Sequence, residues 1–207
     1  MEAKKEEIKA IFFDIGGILY DENTNKPFSK NLSKKFGVTP ESIRKIILKN
    51  LKKAQTGKIS ARQFSDEVAK GLKIKDKKCF FDSWIFFRTK SLILMDSTKK
   101  LIRSFKKDYI LGTLTNITQI NDIPRIRKKV YEDFKIKLLS YKEGLRKPDP
   151  RFYQLMIKRT KLPSGSIVFI DDKKEFLLPA KRLGINTILF KNNNQLIKDL
   201  KKLGVKV

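Results

Sequence analysis

The chain has 207 residues, room for one sizeable α/β domain with a small insertion and too little for two large domains. Apolar residues make up 40% of it, enough for a packed core, while Lys and Arg outnumber Asp and Glu 48 to 22, a formal net charge of +26. Cys79 is the only cysteine and histidine is absent, which excludes an internal disulfide, a His base and any His-ligated metal.

The N-terminal Met1-Glu2-Ala3-Lys4-Lys5-Glu6-Glu7 is charged and mixed in sign, with no apolar core of signal-peptide length behind it. No run approaches the roughly 20 apolar residues of a membrane span, so a cytoplasmic protein without a membrane partner is expected. The Lys residues are spread along the whole chain rather than gathered in a tail, which reads as a solvated surface with no specific nucleic-acid partner. Composition is silent on oligomeric state.

Taken in order, β-branched and aromatic residues over 8–13 predict a buried strand, turned by Gly16-Gly17. Residues 21–95 are helical in pattern throughout. Thr39-Pro40-Glu41 is a helix start, with Pro where its missing N–H costs nothing. Ser60-Ala61-Arg62-Gln63 has the capping-box form, and Gly71 stands where that helix should stop. Phe80, Phe81, Trp84, Ile85 and Phe87 give an apolar helical face, and Trp84 with Phe86-Phe87 is expected in the core of this segment or at its seam.

From about residue 97 the period changes. A helix over 99–107 leads to a strand over 109–115, a further helical region and a short strand over 136–139. Pro150 opens a helix through 159, and an apolar strand follows over 167–170. A helix over 174–183 ends at Gly184, a strand covers 187–190, and a Lys-rich helix closes the chain. Alternating strands and helices indicate a mostly parallel sheet covered on both faces. The expected fold class is α/β: a Rossmann-like doubly wound parallel sheet from residues 1–20 and 96–207, with an inserted α-helical cap over 21–95.

In such a sheet, ligands bind beyond the carboxyl ends of the strands. The residues falling there are Asp14, Thr115-Asn116, Ser140 with Lys147 a few positions on, and Asp171-Asp172. Three aspartates close together repel unless a cation sits among them, and hard oxygen ligands without His or paired Cys point to Mg²⁺. Lys147 and the Thr115 hydroxyl suit a phosphoryl group beside that metal.

Four motifs carry a resemblance over residues 8–191: Ile11-Phe12-Phe13-Asp14-Ile15-Gly16-Gly17-Ile18-Leu19, Leu114-Thr115-Asn116, Lys147 within Gly144-Leu145-Arg146-Lys147-Pro148-Asp149-Pro150, and Val168-Phe169-Ile170-Asp171-Asp172. In this order the chain resembles the haloacid dehalogenase (HAD) superfamily with a helical cap after the first motif. It is most similar to the branch of sugar-phosphate phosphatases and phosphatase domains fused to epoxide hydrolases. The resemblance implies Asp14 as nucleophile and metal ligand, with the Gly16 backbone carbonyl, Asp171 and Asp172 completing the Mg²⁺ site. It implies Thr115, Asn116 and Lys147 as phosphoryl-binding groups. Arg146 is expected to be structural or peripheral.

Gly16 departs from the pattern, since phosphatases of this superfamily usually carry a general acid–base aspartate there. Asp21 and Glu22 are the nearest carboxylates in sequence that could stand in. The implied function is a Mg²⁺-dependent phosphatase of a small phosphorylated metabolite, a sugar phosphate among the candidates. Alternatives are a metal-free haloacid dehalogenase-like hydrolase, against which the Asp171-Asp172 pair argues, and a catalytically weak HAD-fold protein with a basic binding surface. A phosphomutase is disfavoured because it relies on the missing aspartate. Residues 21–95 carry 18 basic against 7 acidic side chains, which suits an anionic substrate without naming one.

Overall fold

Five short strands, all parallel, form one sheet in a computed structural model that describes residues 6–20 and 25–207. They are β1 (Ala10–Phe13), β2 (Ile110–Thr115), β3 (Ile136–Leu139), β4 (Ile167–Asp171) and β5 (Asn186–Leu189), in spatial order β3-β2-β1-β4-β5. The first strand in the chain is therefore the central one. Ala10 pairs with Ile110 on one side and Ile167 on the other. The ladder begins there, so Ile8, although buried, lies before the strand predicted to contain it.

Side chains alternate between the two faces of the sheet and fill two cores. Ile11, Phe13, Val168 and Ile170 belong to one face, Ala10, Phe12, Ile167 and Phe169 to the other. Both faces are buried, as a parallel sheet requires. The covering helices are α5 (Asp96–Ser104), α6 (Gln119–Arg127), the single turn α7 (Ser140–Glu143), α8 (Pro150–Thr160), α9 (Lys174–Arg182) and α10 (Asn193–Lys202).

Between β1 and β2 lie α1 (Asn25–Phe36), α2 (Pro40–Gln55), α3 (Ala61–Gly71) and α4 (Lys77–Ser91), which share an apolar cluster around Phe28, Phe64, Phe80 and Trp84 that also takes in Ile120 of α6. Their caps follow the sequence. The Thr39 hydroxyl accepts from the Ser42 N–H at 3.1 Å, and Ser60 and Gln63 form the reciprocal box that satisfies two amides at the start of α3. Gly71 does end α3, but the left-handed residue beyond it is Lys73, at φ 59°. Gly71 instead permits close packing, because a Cβ there would sit 2.8 Å from the Ile46 side chain.

This unit meets the sheet through α6: the Trp84 indole donates to Asn121 at 2.9 Å, and the Ala61 N–H donates to Gln119 at 2.8 Å. Trp84 thus serves both as core and as seam, whereas Phe86 is 54% exposed and serves as neither. No helix among the described residues is long and apolar enough to cross a membrane.

Candidate active site

The sheet order places the ends of its three middle strands side by side. Asp14 follows β1 and continues its ladder, donating its N–H to the Ile170 carbonyl at 2.8 Å. Thr115 ends β2 and Asp171 ends β4. Asp14, Asp171 and Asp172 each offer an oxygen, and these three atoms lie within 4.8 Å of one another. The three aspartates come together, whereas the Ser140 hydroxyl is taken up by the Ile117 backbone, accepting from its N–H at 2.9 Å and donating to its carbonyl at 3.0 Å.

Lys147 reaches them from the loop before α8. Its side chain is fully buried, with Nζ 2.5 Å from Asp171 Oδ2 and 3.2 Å from Asp14 Oδ1. The rings of Phe169 and Phe176 lie 5.4 and 5.0 Å from the same ammonium, so Phe176 packs against the charge rather than hydrogen-bonding it. Asn116 holds this lysine by its main chain: its amide donates to the Lys147 carbonyl at 2.9 Å and its oxygen accepts from the Lys147 N–H at 2.8 Å. The Asn116 side chain, expected on a phosphoryl oxygen, is thereby engaged in positioning the cation.

Burial pushes the Asp171 carboxyl up to about 7; the Lys147 charge opposes that shift and the Asp14 charge adds to it. One Asp171 oxygen is fixed by the Lys173 N–H at 2.8 Å. No hydrogen bond is donated to the buried Asp14 Oδ1. Three clustered carboxylates against one ammonium, all presenting hard oxygens, fit a divalent cation such as Mg²⁺.

Gly16 and Gly17 let the chain leave Asp14 tightly. Gly17 has φ +74°, and a Cβ on it would lie 2.3 Å from Asp172 Oδ2. Gly17→Ala should therefore displace Asp172 as well as strain the backbone by about 1–2 kcal/mol. Mg²⁺ affinity measured by calorimetry should fall more than thermal stability does; an unchanged affinity would refute the packing argument. Gly16 is buried and lines the cavity described next. Asp21 and Glu22, the expected stand-in carboxylates, lie outside the described residues.

A cavity of about 400 Å³ opens onto this edge, between Asp14, Thr115 and Lys147 on the sheet side and Leu51, Gln55 and Arg88 on the inserted helices. Its lining is strongly cationic: Arg88, Arg125, Arg146 and Lys173 accompany Lys147. Arg146, expected to be structural or peripheral, lines this cavity. Arg125, from α6, was missed by sequence reasoning, because one arginine among 48 basic residues carries no signal. It is buried, donates to the hydroxyls of Thr115 and Tyr131 at 3.4 Å each, and also contacts the Tyr20 hydroxyl. Burial lowers the Arg88 pKa to about 10; Tyr20 opposes the shift and Arg125 adds to it.

A family model described as haloacid dehalogenase-like hydrolase matches residues 8–184. The chain is 37% identical over 71 residues to bifunctional epoxide hydrolase 2 of Sus scrofa, a match spanning 34% of this chain but only 12% of that protein. It is 25% identical over 189 residues to D-ribitol-5-phosphate phosphatase of Bacteroides thetaiotaomicron, covering 87% of this chain and 90% of the relative. A HAD family enzyme of Bacteroides thetaiotaomicron, solved with magnesium and inorganic phosphate, superposes with a TM-score of 0.72 at 22% identity, over 89% of this chain and 94% of that one. At that identity the superposition speaks for the fold alone. The family match covers most of the chain and contains all four strand-end motifs, so the chain belongs to the haloacid dehalogenase-like hydrolases.

Proposed function

We propose that this chain is a Mg²⁺-dependent phosphatase of a small phosphorylated metabolite, working through an aspartyl-phosphate on Asp14. The observation that carries this reading is the Asp14 carboxylate lining the cavity, clustered with Asp171 and Asp172 and 3.2 Å from the buried Lys147 ammonium. A relative of nearly the same length named as a phosphatase supports it. The retained Asp171-Asp172 pair disfavours the dehalogenase alternative, since a carboxylate substrate would meet two further carboxylates without a cation between them.

In this reading Asp14, Asp171, Asp172 and the Gly16 carbonyl hold Mg²⁺, which when bound supplies positive charge to the phosphoryl oxygens. A carboxylate oxygen of Asp14 attacks phosphorus and the alkoxide leaves; water then cleaves the acyl phosphate and frees inorganic phosphate. The Lys147 ammonium offsets charge that develops on the transferring group, and the Thr115 hydroxyl donates to one of its oxygens. Residues 21–95 act as a cap that closes the cavity against water.

Gly16 supplies no side chain for proton transfer. A missing general acid–base group typically costs 10²–10⁴ in rate, about 3–5 kcal/mol of barrier. The test is hydrolysis of an aryl phosphate with Mg²⁺ and with chelator. Turnover should vanish without metal, and Gly16→Asp should raise kcat by roughly 10² on a poorer alkyl leaving group. Turnover that persists in chelator would overturn the reading.

Metal binding should also release a proton. Asp171 is held near 7 by burial, so below that pH the folded, metal-free protein carries it neutral while the unfolded chain carries it ionised. Its contribution to stability is thus full below about pH 4 and is lost as pH rises through about 7. Mg²⁺ needs the ionised form, so its apparent affinity should weaken by about tenfold per pH unit below 7. Calorimetry in buffers of different ionisation heat reads this directly.

A further inference from the structure

We infer that Arg125 is a positioning residue for phosphoryl binding: through hydrogen bonds that all run in one direction, it turns the Thr115 hydroxyl proton toward the transferring group. The inference rests on the phosphatase reading in taking the acceptor of that proton to be a phosphoryl oxygen.

The direction of each hydrogen bond is set from the far end of the chain. Asp122, fully buried one turn before Arg125 on α6, accepts from the Tyr131 hydroxyl at 2.7 Å and from the Tyr141 hydroxyl at 2.9 Å. The Tyr131 proton is thereby spent, so toward Arg125 the Tyr131 oxygen can only accept. A guanidinium only donates. Arg125 Nη1 lies 3.4 Å from both the Tyr131 and the Thr115 hydroxyl oxygens, and Nη2 donates to the Tyr20 hydroxyl. Thr115 must therefore accept from Arg125 and keep its own proton for another partner. Among the described residues that proton meets no protein acceptor. Thr115 is buried and lines the cavity together with Asp14 and Lys147, so the proton is left for a ligand there.

Arg125 itself is held in place. Tyr131 and Tyr20 engage its two terminal nitrogens, the Tyr20 ring lies 5.1 Å from the guanidinium carbon, and the residue is 6% exposed. A guanidinium so fixed does not swing out to meet a ligand; it acts through the hydroxyl it touches. Its charge also polarises that hydroxyl, because linked hydrogen bonds strengthen one another where the dielectric is low. A purely structural strut would not need a buried ion among neutral hydroxyls, which costs free energy. An anion accepting from Thr115 offsets that cost.

The test is a double-mutant cycle, read by calorimetry of inorganic phosphate binding to the full-length protein with saturating Mg²⁺. Arg125→Met should weaken phosphate by about tenfold, the usual weight of a hydrogen bond to a charged group, and Arg125→Lys should recover part of the loss. In a Thr115→Val background the same Arg125→Met change should cost about twofold or less, because the hydroxyl through which it acts is gone. Mg²⁺ affinity measured without phosphate should match wild type, whereas general damage to the site would lower it. An equal loss in both backgrounds, a parallel loss of Mg²⁺ affinity, or phosphate affinity unmoved by Arg125→Met overturns the inference and leaves the phosphatase reading standing. If Arg125→Met does not fold, Arg125→Gln, polar but shorter, is read in the same cycle against the same outcomes. Wild-type protein that binds no phosphate in Mg²⁺ overturns the phosphatase reading, and this inference with it.

Discussion

Replacing Asp14 by Asn should lower aryl phosphate turnover by about 10⁴-fold or more while leaving the fold in place. The magnitude follows from loss of the bond-forming atom. An amide oxygen does not displace an alkoxide, and removing an enzyme's nucleophile typically costs on the order of 10⁶ in kcat. The fold should tolerate the change because Asp14 sits in a cluster of like charges, with Oδ1 accepting no hydrogen bond. Removing one negative charge there relieves repulsion from Asp171. Steady-state turnover with saturating Mg²⁺, beside a melting curve, checks both halves. A variant retaining a tenth of the activity would remove Asp14 from the chemistry.

Lys147→Met should do comparable damage by a different route. Met matches the length and apolar stem of Lys, and the rings of Phe169 and Phe176 would accept it. The lost charge is what matters. Breaking a buried pair by deleting one partner costs about 3–5 kcal/mol, and here the ammonium serves two carboxylates at 2.5 and 3.2 Å. Asp171 can escape part of that cost by staying protonated, because burial has already raised it to about 7. The destabilisation in urea should therefore be larger at pH 8 than at pH 6, and Mg²⁺ should restore part of it. Turnover should fall by about 10²–10³ even with metal bound, the usual effect of losing one preorganised stabiliser of developing charge. A loss of stability independent of both pH and Mg²⁺ would mean that packing, not charge, is the role of Lys147.

Much of this was legible in the sequence, for identifiable reasons. Strands buried on both faces announce themselves as unbroken apolar runs, and β2, β3 and β4 fell within a residue or two of their predicted spans. Helix starts were legible where a side chain does the capping, at Thr39 and Ser60. The strand-end aspartates could be placed together because parallel topology leaves few alternatives. What escaped depends on tertiary distance. Nothing in Asn116 says that its amide clamps the main chain of Lys147, 31 positions away. Nothing in Gly17 says that the Asp172 side chain occupies its missing Cβ. Arg125 and Arg146 differ from other basic residues only in where the fold places them, against the cavity. Phe86 looked like its apolar neighbours, yet it is exposed while Trp84 and Ile85 are buried.

The central position of β1 has a consequence for how the molecule comes into being. Synthesised first, β1 acquires its neighbour β2 only after the whole inserted helical unit has emerged, and β4 only after Ile167. Until then its apolar residues and unpaired backbone groups form a bare edge of the kind that templates association between nascent chains. Asp14, the charged residue that terminates this run, is an electrostatic brake on such association before it is anything else.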